Sequence, residues 1–103
     1  MASIKGLELQ KLQAQAGLAA RTLKLLANER RLAILCKLGA GEESAGALTK
    51  TAGLSQSALS QHLAKMRDEG LVATRRDGQT VYYRIADPKV ARLLGALKTI
   101  FCG

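Results

Sequence analysis

The sequence has 103 residues, the size of one small domain, and a chain this short buries so little surface that a dimer interface would help its stability. Sixteen Lys and Arg against eight Asp and Glu give a net charge of +8, which favours nucleic acid or an anionic membrane surface but also fits a merely soluble basic protein. No apolar run approaches the roughly 18 residues of a membrane span and the N-terminus lacks an export signal, so a cytoplasmic location is predicted.

Two helices are predicted in the N-terminal part of the chain. Residues from about Leu7 to Ala20 are rich in Leu, Ala and Gln, a composition that favours helix. The segment from Arg21 to Leu38 repeats Leu at close to helical spacing, and Gly39 and Gly41 mark its end.

Two shorter helices should follow. Ser44 can cap a helix that runs through Ala52, and Gly53 stands where that helix would stop. Ser55 is a good N-cap for a helix to Asp68. The apolar residues of this second helix recur at helical spacing and should face the core: Leu59, Leu63 and Met66.

A β-hairpin and a last helix complete the chain. Leu71–Arg76 and Gln79–Ile85 are rich in Val, Thr and Tyr, and Asp77-Gly78 between them is typical of a tight hairpin turn. Asp87-Pro88 predicts the start of the last helix, with Asp87 as N-cap and Pro88 at the first position. The apolar stripe of that helix is Val90, Leu93, Leu94, Leu97 and Phe101.

The element order is therefore α-α-α-α-β-β-α, a mostly α fold with a β-hairpin wing. A short polar helix followed by a basic hairpin is the arrangement of a winged helix-turn-helix, whose partner is double-stranded DNA. Residues 1–103 are interpreted as a single DNA-binding domain. The first and last helices each carry an apolar stripe outside the helix-turn-helix, which predicts a homodimer through those helices.

The polar side of the Ser55–Asp68 helix is the predicted DNA-reading surface. Gln and Ser can bond to base edges or phosphates, although a solvated helix face is the ordinary alternative. The residues on that side are Gln56, Ser57, Ser60, Gln61 and Lys65. His62 lies at the border of the polar and apolar sides, where it either touches DNA or is a half-buried packing residue, and packing is favoured.

Arginines on the hairpin form the second predicted DNA contact. Arg75 and Arg76 lie near its tip, within reach of phosphates or a narrow minor groove. The alternative is that they only keep a strand edge soluble. Arg84 is a weaker candidate, and Arg30 and Arg31 on an earlier helix are expected to help hold the DNA backbone.

Four runs of sequence carry a resemblance to a known family: LKLLANERRL at 23–32, LSQSALSQHL at 54–63, DEGLV at 68–72 and QTVYYR at 79–84. Together they resemble the ArsR family of small bacterial winged-helix repressors. The resemblance implies a dimer built on the first and last helices, which represses transcription and releases DNA when it senses a ligand.

A metal ion is a disfavoured candidate for the ligand that the protein senses. Many ArsR-family members bind metals through Cys-x-Cys near the third helix or through Asp and His on the last helix, and this chain has neither set. Two Cys and one His cannot easily complete a tetrahedral site within one chain. No metal or other cofactor is therefore expected.

The chain has two cysteines, Cys36 and Cys102. The runs Ile34-Leu35-Cys36 and Phe101-Cys102 resemble those of a dithiol, sulfide- and redox-responsive subgroup of the family. That resemblance implies that oxidant or reactive sulfur cross-links the two thiols, directly or through extra sulfur atoms, and so lowers operator affinity. The residues alone favour a different interpretation, with Cys36 as a small buried hydrophobe and Cys102 as a frayed terminal thiol.

Proteins of three other classes are the alternatives to this hypothesis. A thiol oxidoreductase would usually show Cys-x-x-Cys within a βαβ pattern, which is absent, so no enzyme is expected. A membrane-surface or RNA-binding module is disfavoured, because RNA readers usually need exposed aromatic residues and this chain has only Tyr82, Tyr83 and Phe101. The strongest alternative is a DNA-binding repressor of this family that has no thiol sensor.

Overall fold

The computed structural model describes residues 4–103. Six helices and three strands follow one another in the order α1 Gly6–Ala14, α2 Ala16–Leu26, α3 Glu29–Gly39, β1 Glu43–Ser44, α4 Ala45–Ala52, α5 Gln56–Asp68, β2 Val72–Asp77, β3 Thr80–Ile85 and α6 Pro88–Cys102. Helices α4 and α5 form the helix-turn-helix, and β2 and β3 form the wing. The winged helix-turn-helix prediction is confirmed, with one helix and one strand more than expected.

The N-terminal helices differ from the prediction in their boundaries. The helix expected over Leu7–Ala20 ends at Ala14, and the one expected over Arg21–Leu38 is divided at Ala27 and Asn28. Asn28 is extended, with φ −153° and ψ 124°, and its side chain accepts a hydrogen bond from the Arg31 backbone N–H. An N-cap of this kind starts a new helix, so the leucine spacing ran across a break between two helices and did not reveal it.

The sheet contains a strand that the sequence did not predict. The short strand β1 pairs antiparallel with β3, giving the order β1-β3-β2. The hairpin loop is Gly78–Gln79, one residue later than predicted, because Asp77 still pairs with Thr80. Gly78 has φ +62°, as the first central residue of a type II′ turn requires.

One cluster of buried side chains joins the elements from α2 to α6. The recognition helix α5 is seated by its three predicted apolar residues, Leu59, Leu63 and Met66, which are at most 2% exposed. The predicted stripe of α6 is only partly buried, since Val90 and Leu94 are covered whereas Phe101 is 78% exposed. The tight seating of α5 fixes which of its faces remains outside the core.

Large apolar side chains remain exposed on the first two helices, just before the first of them, and on the last helix. In α1 no residue is buried. The exposed members are Ile4, Leu7, Leu9, Leu12, Leu18, Leu23, Ile100 and Phe101. Unpartnered apolar surface of this kind is typical of an interaction face. None of the helices within residues 4–103 is long and apolar enough to cross a membrane.

Candidate nucleic-acid interface and thiol groove

The outer face of α5 carries the five polar residues that the sequence singled out. All are exposed and lie opposite the buried leucines: Gln56, Ser57, Ser60, Gln61 and Lys65. Ser55 begins the helix by accepting the Ala58 backbone N–H at 3.2 Å, so its hydroxyl acts as a cap. The side chains on this face can donate to and accept from base edges and phosphates. They form one surface, and their contact with DNA stays a prediction.

His62 is half-buried beside this face. Its Nδ1 accepts a hydrogen bond from Nε of Arg31 at 3.3 Å. Burial, and secondarily the charge of Arg31, lowers the pKa of His62 below its ordinary value of 6.5. The imidazole is therefore neutral at pH 7.

Acidification should destabilise the protein through His62. Because the pKa is lower in the folded state, the unfolded chain binds the proton more readily, and stability present above about pH 6.5 is lost as pH falls toward the folded pKa. We expect the free energy of unfolding, measured with urea between pH 7.5 and 5.5, to fall in the wild type. A His62→Gln variant should show a shallower decline, and equal slopes would contradict the assignment.

The two arginines at the start of α3 make contacts within the protein. Arg30 Nη1 donates to the Ala52 carbonyl at 2.8 Å, at the end of α4. Arg31 Nη1 donates to the Leu25 carbonyl at 3.2 Å, near the end of α2. In the structure these side chains tie neighbouring helices together, and their expected contact with the DNA backbone stays a prediction.

The wing arginines occupy different environments. Arg75 forms a bidentate ion pair with Glu42. Its Nε lies 2.9 Å from both carboxylate oxygens, and its Nη2 lies 2.7 Å from Oε1. Its guanidinium also lies 4.4 Å from the centre of the Tyr82 ring. The hydrogen bonds to Glu42 raise the pKa of Arg75. Arg76 is exposed and makes no ion pair within the described part of the chain.

Removing the Glu42 carboxylate should release Arg75 for DNA. We expect Glu42→Gln to bind duplex DNA a few-fold more tightly and to steepen the dependence of log K on log salt by up to about 0.9, the value for one added phosphate contact. Anisotropy titrations at several salt concentrations measure this slope. The control is Glu43→Gln, which removes the same charge from a residue paired with Lys37 at 3.6 Å. Identical slopes for the two variants would show that Arg75 does not reach a phosphate.

Both cysteines line one groove of about 820 Å³ between α3, β3 and α6. Each is an exposed free thiol, Cys36 on α3 and Cys102 in the last turn of α6. The exposure of Cys36 contradicts the interpretation of it as a buried hydrophobe. Leucines such as Leu32, Leu94 and Leu97 form much of the wall. The fold thus places on one groove two thiols that stand far apart in the sequence, at positions 36 and 102.

Three charged residues on the groove wall were not identified from sequence as part of this site: Glu42, Arg84 and Lys98. The ion pair of Glu42 with Arg75 joins the residue just before β1 to strand β2 across the sheet. No sequence pattern signals such a link. Within residues 4–103, no group of three or more His, Cys, Asp or Glu side chains is arranged to hold a metal ion.

Comparisons with a family model and with individual known proteins agree with one another. Residues 28–74 match the family model described as bacterial regulatory protein, arsR family. The HTH-type transcriptional regulator YgaV of Escherichia coli is 49% identical over 92% of this chain and 97% of its own length. The transcriptional activator HlyU of Vibrio cholerae is 44% identical over 99% of this chain and 96% of its own length.

Solved structures agree with the sequence comparison. Reduced HlyU from Vibrio cholerae superposes with a TM-score of 0.84 at 45% identity, covering 91% of this chain and 99% of HlyU. The transcriptional repressor BigR from Xylella fastidiosa gives 0.86 at 39% identity over 91% and 96%. A homodimeric winged helix-turn-helix DNA-binding domain from Mycobacterium bovis, a possible ArsR-family regulator, gives 0.74 at 36% identity over 97% and 89%.

Proposed function

This chain belongs to the ArsR family of bacterial transcriptional regulators, which are DNA-binding proteins and not enzymes, and we propose that it is a repressor whose operator affinity is switched by cross-linking Cys36 to Cys102. The observation that carries the proposal is the shared groove, which two exposed free thiols line from different helices. A repressor is favoured by the similarity to BigR, whereas HlyU is named an activator. The protein would act on chromosomal DNA in the cytoplasm.

The proposed chemistry is exchange between a thiolate and sulfane sulfur. One cysteine thiolate attacks the terminal sulfur of an organic persulfide and becomes a persulfide itself. The rest of the organic molecule leaves as a thiol. The second thiolate attacks the inner sulfur of that persulfide, forming the disulfide and releasing hydrogen sulfide. If both cysteines first become persulfides, their condensation retains one extra sulfur and releases hydrogen sulfide. With peroxide as the oxidant, the two thiols give a disulfide and two water molecules.

Cross-linking would act on DNA through the helix that carries Cys102. The exposed apolar residues of α1, α2 and α6 suit a homodimer through the terminal helices, and the Mycobacterium bovis relative is described as homodimeric. Two recognition helices must lie roughly 34 Å apart to enter successive major grooves. Tying α6 to α3 changes the dimer seam and therefore this spacing. A 100-fold loss of affinity requires only about 2.7 kcal/mol of difference between the two states.

Anisotropy with a duplex taken from upstream of the protein's own gene tests the proposal. Reduced protein should bind this duplex in preference to a scrambled one, and a polysulfide donor should release it. If peroxide releases the duplex equally well, the protein is a general thiol-redox switch. Binding that no treatment changes would leave a repressor without a thiol sensor, or one that responds to another ligand.

A further inference from the structure

Arg31 connects three helices around the helix-turn-helix. Its backbone N–H donates to Oδ1 of Asn28 at 3.1 Å, which places it in the first turn of α3. Its side chain donates through Nη1 to the Leu25 carbonyl at 3.2 Å and through Nε to Nδ1 of His62 at 3.3 Å. The guanidinium is thus held on one side by α2 while it contacts the recognition helix on the other.

This contact determines which imidazole nitrogen carries the proton. A guanidinium has only donors and stays charged, so the Nδ1 atom of His62 must be the acceptor. The neutral imidazole then carries its proton on Nε2. Nε2 has no hydrogen-bond partner among residues 4–103. Every buried side-chain nitrogen or oxygen in those residues does have a partner, so Nε2 is not one of the buried atoms. Nε2 is therefore accessible, and it offers one N–H donor.

We propose that Arg31 is a positioning residue for DNA binding, which holds His62 in the Nε2–H tautomer so that α5 presents this donor to an acceptor oxygen or nitrogen of the duplex. The exposed side chain of Gln61 stands next to His62 on the same helix. The half-buried ring and the positive neighbour both keep the imidazole neutral. The role of Arg31 lies in orientation and tautomer, and it needs no contact of its own with DNA.

Nuclear magnetic resonance can test the tautomer directly, because His62 is the only histidine in the chain. In the ¹⁵N-labelled full-length reduced protein we expect a protonated Nε2 and an unprotonated Nδ1. Arg31→Gln should give a mixture of tautomers and raise the pKa of His62. The matched control is Arg92→Gln, which loses the same charge from an exposed position on α6 and should change neither property. A proton on Nδ1 in the wild type would overturn the proposal.

DNA binding supplies the second test. We expect Arg31→Gln and His62→Ala each to lower operator affinity about tenfold, and the double variant to lower it no further, because both remove one contact. If affinity falls equally on operator and scrambled duplexes, the acceptor is a phosphate. If affinity falls only on the operator, the acceptor is a base edge. Either result supports the proposal. Losses that add in the double variant, or Arg31→Gln binding as tightly as Arg92→Gln, would overturn it.

A third variant separates positioning from folding. Arg31→Lys keeps the positive charge and can still donate to the Leu25 carbonyl, but its flexible ammonium cannot reproduce the planar fork. Thermal unfolding should show it to be folded, while its tautomer mixture and its loss of operator affinity should follow those of Arg31→Gln. Wild-type tautomer and affinity in this variant would show that charge alone is required, and so would contradict the proposal.

Discussion

Replacing either Cys36 or Cys102 with serine should abolish the roughly 100-fold loss of operator affinity expected when a polysulfide donor treats the wild type. Serine has nearly the same size, and both positions are exposed, so the reduced variants should fold and bind operator like the wild type. Each variant can still acquire sulfur on its remaining thiol, but it cannot close a bridge across the groove. Anisotropy before and after treatment measures the change.

The two single variants distinguish a bridge from a simple modification. If Cys102→Ser still releases operator after polysulfide treatment, a persulfide on Cys36 alone is sufficient. The hypothesis that a cross-link switches operator affinity is then wrong. Mass spectrometry of the intact, non-reduced wild type counts the sulfur atoms retained in the bridge. Dithiothreitol should restore both the mass and the affinity, because thiol exchange is reversible. Affinity that stays low after the mass has returned would indicate damage to the fold.

Truncating a leucine on the inner face of α5 should have the largest effect on stability. Leu63 is 2% exposed and seats the recognition helix on the core. Leu63→Ala removes this packing and leaves a cavity, which typically costs 2–5 kcal/mol. Because small domains are stable by only about 5–15 kcal/mol, a substantial fraction of the variant should unfold near physiological temperature.

Gln61→Ala is the matched control on the outer face of the same helix. Gln61 is exposed, so the free energy of unfolding should change by less than about 0.5 kcal/mol. Operator affinity should fall about tenfold if the side chain reads a base, with little change on scrambled DNA. Urea unfolding and anisotropy on both variants give the comparison. A Gln61→Ala protein that binds operator normally would remove Gln61 from the predicted interface.

Local signals account for the parts of the fold that were predicted well. Ser55, Gly78 and the Asp87-Pro88 pair act on their immediate neighbours, and the corresponding helices and hairpin were expected close to where they occur. The break at Asn28 was missed because leucine spacing persists on both sides of it. Strand β1 was missed because two residues carry no period, and only their pairing with Tyr82 and Tyr83 makes them a strand.

The sequence by itself determined the class of the protein. Its basic charge, the polar face of the Ser55–Asp68 helix and the following hairpin indicated a DNA-binding regulator, because each depends on residues close together in the chain. Only the tertiary structure decided which distant side chains meet. It brought Cys36 and Cys102 to one groove, paired Glu42 with Arg75, and placed Arg31 against His62. Each of these contacts joins residues from separate elements, and their distances depend on how the shared core packs those elements together.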